Sequence, residues 1–300
     1  MNNVIGIDLG GTSIYGGVIN ENGEIIKRAE SETGTGLGKI EVLNRIIQVI
    51  NELLNGQVVK GIGIGTPGFI DSEEGRVLSV GGNIDDWAGT DIKGELSKVF
   101  KNIPIFVEND ANVAGICEAW IGAGKGLKSF VMLTLGTGVG GAIHTSKEGI
   151  WHGHRYQGAE LGHVILYPKG RPCNCGQKGC VERYISGRAV EVLYTEKTGI
   201  EMKGKDIFKN SINDEISKNI ISEFAENLAV YIVSLKNTFD PEGIIIGGGV
   251  INSKEYWWNK TLEYYKQYSN NPEGMKIVPA IYLNDAGMIG AAKVVFDKIK

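Results

Sequence analysis

Residues 4–20 read VIGIDLGGTSIYGGVIN, an apolar stretch that passes through Asp8 into a Gly-Gly-Thr turn and returns as a second apolar stretch. Residues 130–145, FVMLTLGTGVGGAIHT, repeat this form, with Thr134 in place of the acidic residue and Gly-Thr-Gly as the turn. Short apolar runs on either side of a glycine turn indicate paired strands. The recurrence after about 125 residues predicts two related halves.

Helical and strand-like segments alternate along the rest of the chain. Apolar residues recur at helical spacing over residues 40–54, and a longer helical pattern over residues 214–238 stops before Asp240-Pro241. Strand-like runs include KGIGIGTPGFID, IPIFVEND and EGIIIGGGVI. This alternation predicts an α/β architecture. We expect a last helix, residues 287–300, to pack back on the first half.

Composition excludes several classes of partner. The 300 residues contain 35 acidic and 31 basic side chains, and no basic run occurs. We therefore expect neither nucleic acid nor an anionic membrane as a partner. No apolar run is long enough to span a membrane, and Met1 leads directly into a strand-like segment rather than a signal peptide. The expected location is the cytoplasm.

One imidazole and three thiols are close together in the second half, at His163, Cys173, Cys175 and Cys180. This is a closed tetrahedral ligand set for zinc, with no position open to a reacting water, and it predicts a structural metal site. The alternative is a disulfide. Two cysteines separated by one residue are badly placed to bridge each other, and nothing else indicates an oxidising compartment. Cys117 lies in a helical pattern and is expected to be a packing residue.

Glycine is unusually frequent, with 44 residues, and it clusters at the ends of apolar strands. A glycine turn presents several backbone N–H groups in one concavity, which suits phosphate oxygens. One such turn alone is more simply an ordinary hairpin. Two equivalent turns, together with the run Gly247-Gly248-Gly249, favour a site that holds phosphates from two sides and lets an adenine and ribose lie against the backbone.

The order of seven motifs resembles the ROK family (repressors, open reading frames and kinases), which contains sugar kinases related to actin-like ATPases. The motifs are IDLGGT, GIGTPG, ENDANVA, TLGTGVGG, GAELGH, CNCGQKGC and IIGGG, and they extend over essentially the whole chain. IDLGGT also fits other actin-like ATPases, whereas ENDAN together with the histidine and cysteine set is specific. The resemblance implies an actin-like ATPase (ribonuclease H-like) α/β fold, with two lobes flanking an ATP and sugar cleft. The expected small lobe is residues 1–118 with 287–300, and the large lobe, residues 119–286, contains the zinc loop.

The resemblance also implies an activity, the ATP-dependent phosphorylation of a hexose, with glucose as the expected substrate and Mg²⁺ accompanying ATP. Phosphoryl transfer needs a bound polyanion, an acceptor hydroxyl in line and a base for its proton. By resemblance Asp110 is this base, and Asp8 is the carboxylate on the magnesium side. The simpler alternative for Asp110, or for its neighbour Asn109, is capping of a helix.

Binding residues for both substrates follow from the same resemblance. His163 is expected to use one ring nitrogen for zinc and the other for the sugar. The implied sugar-binding residues are Gly68, Asn83, Asn109, Asp110, Glu160, His163 and Glu182. The implied ATP-binding residues are Asp8, Gly10, Gly11, Thr12, Gly136, Thr137, Gly138, Gly248 and Gly249.

The chain departs from the family pattern at two positions. Tyr15 replaces a basic residue that is often found three places after the IDLGGT threonine, and Ala159 stands where glucokinases usually have glycine. The extra methyl of Ala159 is expected to reshape the sugar pocket. His144, His152 and His154 suggest no role, and we expect them at the surface.

Competing functions differ in features that the sequence contains or lacks. A repressor of this family needs a helix-turn-helix ahead of the kinase-like part, whereas only three residues precede the first predicted strand. An actin-type ATPase of the binding or chaperone class lacks the sugar loop with its zinc ligands. Among kinases, the main alternative substrate is N-acetylmannosamine, followed by fructose, allose or a β-glucoside, since epimers differ by a single hydroxyl. The resemblance implies a homodimer or homotetramer.

Overall fold

The computed structural model describes residues 2–79 and 84–299. Its strands are β1 (Val4–Leu9), β2 (Ser13–Ile19), β3 (Ile25–Glu32), β4 (Ile62–Thr66), β5 (Phe69–Asp71), β6 (Arg76–Ser79), β7 (Ile105–Asn109), β8 (Ser129–Leu135), β9 (Val139–Thr145), β10 (Gly149–Ile150), β11 (Gly243–Gly247) and β12 (Lys276–Pro279).

Helices follow or connect most of these strands. They are α1 (Lys39–Leu54), α2 (Ile92–Val99), α3 (Asp110–Trp120), α4 (Glu182–Ile185), α5 (Gly187–Thr198), α6 (Gly204–Asn210), α7 (Glu215–Phe239), α8 (Trp258–Tyr268) and α9 (Ala286–Lys298). Across residues 2–79 and 84–299, no helix combines the length and the apolar character that a membrane crossing requires.

The chain divides into two compact units. Unit 1 comprises Met1–Gly126, Glu148–Gly158 and Asn284–Lys300, and unit 2 comprises Leu127–Lys147 and Ala159–Leu283. The sheet of unit 1 has the order β3-β2-β1-β4-β7. Strands β1, β4 and β7 are parallel, so their carboxyl ends meet at one edge of the sheet. Open α/β sheets bind ligands at this kind of edge.

Two helices cover the sheet of unit 1 on opposite faces. Gly16 on β2 faces Val49 of α1, whereas the next residue, Gly17, faces Met288 of α9. Successive strand residues point to opposite faces of a sheet. The buried core of unit 1 contains the apolar side of α1, and Val295 of α9 packs in a smaller adjoining cluster. The predicted packing of the last helix on the first half is confirmed.

Unit 2 repeats the same strand pattern. Its strands lie in the order β9-β8-β11-β12, with β8 antiparallel to β9 and parallel to β11. The long helix α7 buries Phe224, Leu228 and Tyr231 in the core of this unit. These residues are three or four positions apart, as the helical period requires. The predicted internal repeat is therefore confirmed by two sheets in which a hairpin is followed by parallel strands.

The boundaries of the compact units differ from those of the predicted lobes. Unit 1 continues past residue 118 to Gly126 and also takes in residues 148–158. The turn after α3 stays with unit 1 because Glu118 accepts hydrogen bonds from Ala123 N at 2.7 Å and, through its carbonyl, from Gly124 N at 2.9 Å. The helices predicted over residues 40–54, 214–238 and 287–300 agree with α1, α7 and α9 to within two residues. Helix α7 follows an Asp214 cap that accepts a hydrogen bond from Ser217 N at 2.7 Å.

Candidate functional site

The edge of the unit 1 sheet at which β1, β4 and β7 end carries two carboxylates. Asp8 lies near the end of β1, and Asp110 follows directly after β7. Burial raises the pKa of Asp8 to about 7, with a further contribution from the negative charge of Asp110. Burial also raises the pKa of Asp110. Two carboxylates that repel each other at a sheet edge suit proton acceptance or the outer shell of a divalent cation.

Asn109 joins β7 to α3 and uses both ends of its amide. Its Oδ1 accepts hydrogen bonds from Ala111 N at 2.9 Å and Asn112 N at 3.1 Å, which caps the helix. Its Nδ2 donates to the carbonyl of Gly68 at 3.0 Å. Asn109 therefore caps α3, and the cap also fixes the direction in which Asp110, the first helical residue, leaves the strand. The sugar-binding roles predicted for Asn109 and Asp110 stay predictions.

The glycine turn of unit 1 is held by a residue that the sequence did not single out. Gly10 N donates to Ser13 O at 2.9 Å and closes the turn between β1 and β2. The fully buried Thr33 donates from Oγ1 to Gly10 O at 2.7 Å and from its backbone N–H to Thr12 O at 2.9 Å. The predicted residues Gly10, Gly11 and Thr12 thus form a tethered turn next to Asp8.

A second missed residue, Gly287, makes room for the Asp8 carboxylate. A Cβ at this position, in the first turn of α9, would lie 2.3 Å from a carboxylate oxygen of Asp8. Real Cβ atoms essentially never come this close to another heavy atom, so any side chain here would displace the carboxylate. The sequence contains no signal for this contact, because the two residues lie at opposite ends of the chain.

Unit 2 brings the four predicted metal ligands together. The ligand atoms of His163, Cys173, Cys175 and Cys180 all lie within 4.8 Å of one another. Cys175 Sγ is 3.6 Å from Cys180 Sγ, and Cys173 Sγ is 3.7 Å from His163 Nδ1. All four cysteines of the chain, including the buried Cys117, are free, so the disulfide alternative is wrong. Gln177 Nε2 donates to Cys175 Sγ at 3.6 Å, Cys180 Sγ at 3.5 Å and the carbonyl of His163 at 2.9 Å.

His163 divides its two ring nitrogens between the cysteine cluster and an acid. Nδ1 faces Cys173, and Nε2 lies 3.9 Å from Glu160 Oε2. A 3₁₀ turn, Leu161–His163, connects Glu160 to the histidine. This turn is anchored from beneath, because the buried Tyr231 on α7 donates its hydroxyl to Leu161 O at 2.7 Å.

Glu182 has a contact that the sequence did not predict. Its Oε2 accepts a hydrogen bond from Val139 N at 2.9 Å, immediately after the glycine turn of unit 2. Gly136 N donates to Gly138 O at 2.9 Å across that turn, and Gly187 N donates to Gly136 O at 2.8 Å. Gly136, Thr137 and Gly138 are thus held between α5 and a carboxylate that precedes it.

Gly248 and Gly249 are glycines for different reasons. Gly248 has a φ of +80°, and a Cβ there would lie 2.5 Å from the carbonyl oxygen of Leu135, so the fold itself requires glycine. A Cβ at Gly249 would meet no atom within 4 Å, and its φ is not left-handed. Gly249 is therefore a glycine that the protein's own packing does not require, as expected where a ligand approaches the backbone.

The departure at Ala159 has a backbone explanation. Ala159 has a φ of +63° and is 7% exposed. The left-handed region costs a residue with a Cβ about 1–2 kcal/mol, so this backbone conformation favours glycine over alanine. The expectation that its methyl reshapes the sugar pocket stays a prediction.

Two of the three histidines expected at the surface have partners inside unit 1 or unit 2. His152 Nε2 lies 2.7 Å from Oε2 of the buried Glu108. His144 stacks on the buried Phe130 with ring centroids 5.0 Å apart, and its burial lowers its pKa. His154 is exposed as expected. The predicted sugar ligand Asn83 lies outside the described residues.

The addition of one methyl group should have different effects at Gly248 and at Gly249. Gly248→Ala should lower the free energy of unfolding by at least about 1–2 kcal/mol, because it adds left-handed strain to a steric clash. Gly249→Ala should leave stability unchanged but reduce the thermal stabilisation conferred by ATP. Gly36→Ala is the matched control, since its Cβ also has no neighbour within 4 Å. Equal loss of stability in Gly248→Ala and Gly249→Ala would contradict this division.

Ala159→Gly should not show the loss of stability that usually follows the replacement of alanine by glycine. Relief of left-handed strain offsets the added entropy of the unfolded chain, so we expect a change within about 0.5 kcal/mol, or a gain in stability. Ala189→Gly, at a buried position of α5, is the control and should lose about 1 kcal/mol or more. Urea denaturation measures both, and a similar loss in the two variants would show that Ala159 is not strained.

Comparisons with known proteins agree over the full length of the chain. The model of the ROK family matches residues 4–298. A glucokinase from Thermotoga maritima is 33% identical over 99% of this chain and 98% of the relative. The structure of a ROK hexokinase from Thermus thermophilus superposes with a TM-score of 0.88 at 31% identity, covering 99% of each chain. A ROK glucokinase from Streptomyces griseus, solved with glucose and AMPPNP, gives a TM-score of 0.86 at 29% identity, covering 99% of this chain and 100% of that one. This chain, with its actin-like ATPase fold, belongs to the ROK family.

Proposed function

We propose that the protein is an ATP-dependent hexose kinase that converts glucose to glucose 6-phosphate. The observation that carries the proposal is full-length similarity, at 31–33% identity, to relatives named glucokinase from Thermotoga maritima, Halalkalibacterium halodurans and Streptomyces coelicolor. The carboxylates at the sheet edge of unit 1 and the tethered glycine turns supply the chemical groups that such a reaction needs.

Asp110 is the general base in this proposal. It accepts the proton of the sugar 6-hydroxyl as the hydroxyl oxygen attacks the γ-phosphorus and ADP leaves. The helix cap on Asn109 limits the directions available to Asp110, and a raised pKa makes its carboxylate a better proton acceptor than an exposed aspartate. Asp8, whose pKa is also raised, would hold, through water, the Mg²⁺ that accompanies ATP, and the ion would supply positive charge to the phosphates.

The backbone of two glycine turns would hold the phosphates of ATP. One turn is Gly10, Gly11 and Thr12, and the other is Gly136, Thr137 and Gly138. Both turns are closed by their own hydrogen bonds, Gly10 N to Ser13 O and Gly136 N to Gly138 O, each 2.9 Å. A closed turn loses little conformational freedom when it binds an anion. Gly248 and Gly249 lie against the adenosine.

Sugar hydroxyls would bind to the polar groups that the resemblance predicts. These groups are Asn109, Asp110, the backbone of Gly68, Glu160, His163, Glu182 and, from outside the described residues, Asn83. A hydrogen bond from a hydroxyl group to a carboxylate contributes about 1.5–3 kcal/mol, so a set of such acceptors favours a polyol. Glu182 keeps Oε1 for the sugar while Oε2 accepts from Val139 N.

The metal held by His163, Cys173, Cys175 and Cys180 is proposed to be structural zinc. Tetrahedral zinc, with Zn–S about 2.3 Å and Zn–N about 2.0–2.1 Å, has neighbouring ligand atoms about 3.5–3.8 Å apart. The Sγ–Sγ distance of 3.6 Å and the Sγ–Nδ1 distance of 3.7 Å fit this geometry. Four ligands fill the coordination sphere, so zinc anchors the loop that carries Glu160 and His163 and takes no part in the reaction.

A second candidate substrate class is an N-acetylhexosamine. N-acetyl-D-glucosamine kinases from Aliivibrio salmonicida and Vibrio vulnificus are 31% identical over 96% of this chain. A structure described as a putative N-acetylmannosamine kinase, from Listeria monocytogenes, gives a TM-score of 0.86 at 28% identity. We also propose that the protein is soluble and cytoplasmic and that it forms a homodimer or homotetramer.

ADP release measured with a panel of hexoses and N-acetylhexosamines tests the proposal. Glucose should give the highest kcat/KM. Asp110→Asn should fold normally and bind sugar while kcat falls by roughly 10²–10⁴, because asparagine keeps the shape of the side chain but cannot take the proton. A different preferred sugar would reject glucose as the substrate, and the absence of turnover with any sugar would reject the kinase. A kcat near the wild-type value in Asp110→Asn would exclude Asp110 as the general base.

Metal analysis tests the structural zinc independently of activity. Protein purified without chelators should contain about one zinc per chain. Cys175→Ser should lose the metal and raise the hexose KM more than the ATP KM, since its loop carries sugar ligands. Cys117→Ala should keep the metal, because Cys117 lies on α3 in unit 1. Zinc-free wild-type protein, or zinc loss in Cys117→Ala alone, would exclude this site.

A further inference from the structure

Glu108 is a buried carboxylate adjacent to the residues that present the proposed base. It lies on β7, directly before Asn109, and is 5% exposed. A buried carboxylate is costly unless it is paired and its oxygens are hydrogen-bonded. Glu108 has no step in the proposed reaction, so the presence of a carboxylate at this buried position requires another reason.

Both oxygens of Glu108 are occupied. Oε1 accepts from Asn109 N at 2.8 Å and from Asn112 Nδ2 at 2.9 Å, so one oxygen connects both ends of the first turn of α3. Oε2 lies 2.7 Å from His152 Nε2. Asp110 lies within the turn that Oε1 spans. Any movement of the Glu108 carboxylate would therefore move the cap that orients Asp110.

His152 belongs to a segment that is hydrogen-bonded within itself and to another part of unit 1. The segment, residues 148–158, closes on itself through a hydrogen bond from Gly158 N to His152 O at 2.8 Å. Farther along, the Tyr156 hydroxyl donates to the Asp71 carboxylate, and the rings of His152 and Tyr156 meet edge to face. The imidazole is thus held in place before it donates to Glu108.

Electrostatics favour the charged form of His152. The hydrogen bond to Glu108 raises the pKa of His152, against the effect of its partial burial. Among the other charged groups, Lys298 on α9 lowers this pKa and Glu73 raises it. His152 is therefore protonated more than an isolated histidine at the same pH, and its positive charge compensates the buried negative charge.

We propose that His152 is a positioning residue for phosphoryl transfer, which acts by holding Glu108 and, through it, the capped turn that presents Asp110. This proposal rests on the hexose kinase function proposed above. His152 itself contacts neither phosphate nor sugar in this assignment. Loss of its hydrogen bond should misalign the base while the fold persists.

Two matched substitutions separate positioning from folding. In His152→Gln, the amide nitrogen occupies nearly the same place as imidazole Nε2 and still donates to Glu108. In His152→Asn, the side chain is one methylene shorter and does not reach. His154→Asn, two residues farther along the same segment and exposed, is the control. Melting temperatures establish that all three variants fold.

We expect His152→Asn to lower kcat about ten- to a hundredfold, as a small misplacement of a catalytic group does. His152→Gln should restore most of this activity, His154→Asn should match the wild type, and the ATP KM should stay unchanged throughout. Equal kcat in His152→Asn and His154→Asn would overturn the proposal. Equal losses in His152→Asn and His152→Gln would also overturn it, because the hydrogen bond would then be irrelevant.

Amide hydrogen exchange tests the same geometry without turnover. The amides of Asn109, Ala111 and Asn112 should exchange faster in His152→Asn and regain protection in His152→Gln. Unchanged exchange in both variants would overturn the positioning role. If wild-type protein phosphorylates no hexose, the proposed function fails, and exchange alone then decides whether His152 holds this turn.

Discussion

The junction between β7 and α3 is the constraint on which the proposed catalytic edge of unit 1 depends. A parallel strand that ends at a sheet edge leaves polar groups without partners, and the helix that follows begins with unsatisfied N–H groups. Asn109 satisfies both requirements, because its Oδ1 caps α3 and its Nδ2 donates to Gly68 O. The same atoms that stabilise the helix start thereby fix Asp110, so stability and proposed function share one set of hydrogen bonds.

In unit 2 the proposed sugar-binding side chains lie beside a loop that needs a different kind of stabilisation. Residues 164–181 contain no helix or extended strand, and such a loop buries too little apolar surface to fix its conformation. The proposed metal, bound by four ligands, would replace the missing core, since the binding free energy of a structural metal is also folding free energy. Gln177 adds hydrogen bonds to two of the sulfurs and to the backbone of His163. Metal binding would therefore fix the conformation of the loop beside Glu160.

Much of this arrangement could be predicted from the sequence, because it depends on local patterns. Apolar strands ending in glycine and an acid predicted the positions of Asp8 and Asp110, and close cysteine spacing predicted the metal cluster. The Glu108–His152 pair could not be predicted, since its members are 44 residues apart and an isolated histidine in a loop has no periodic signature. The left-handed φ of Ala159 was also missed, because an alanine gives no local sign of a strained backbone.

Glu182 links the proposed metal loop of unit 2 to the glycine turn of the same unit. It follows the last metal ligand by two residues, and its carboxylate accepts from Val139 N at the end of the glycine turn. A Cβ on Gly138 would lie 2.4 Å from this carboxylate, so the turn and the acid are in close contact. Because Cys180 and Glu182 are joined by a short stretch of backbone, displacement of the metal loop must also move the carboxylate. The metal binding, sugar recognition and phosphate binding proposed for this unit would therefore be mechanically coupled.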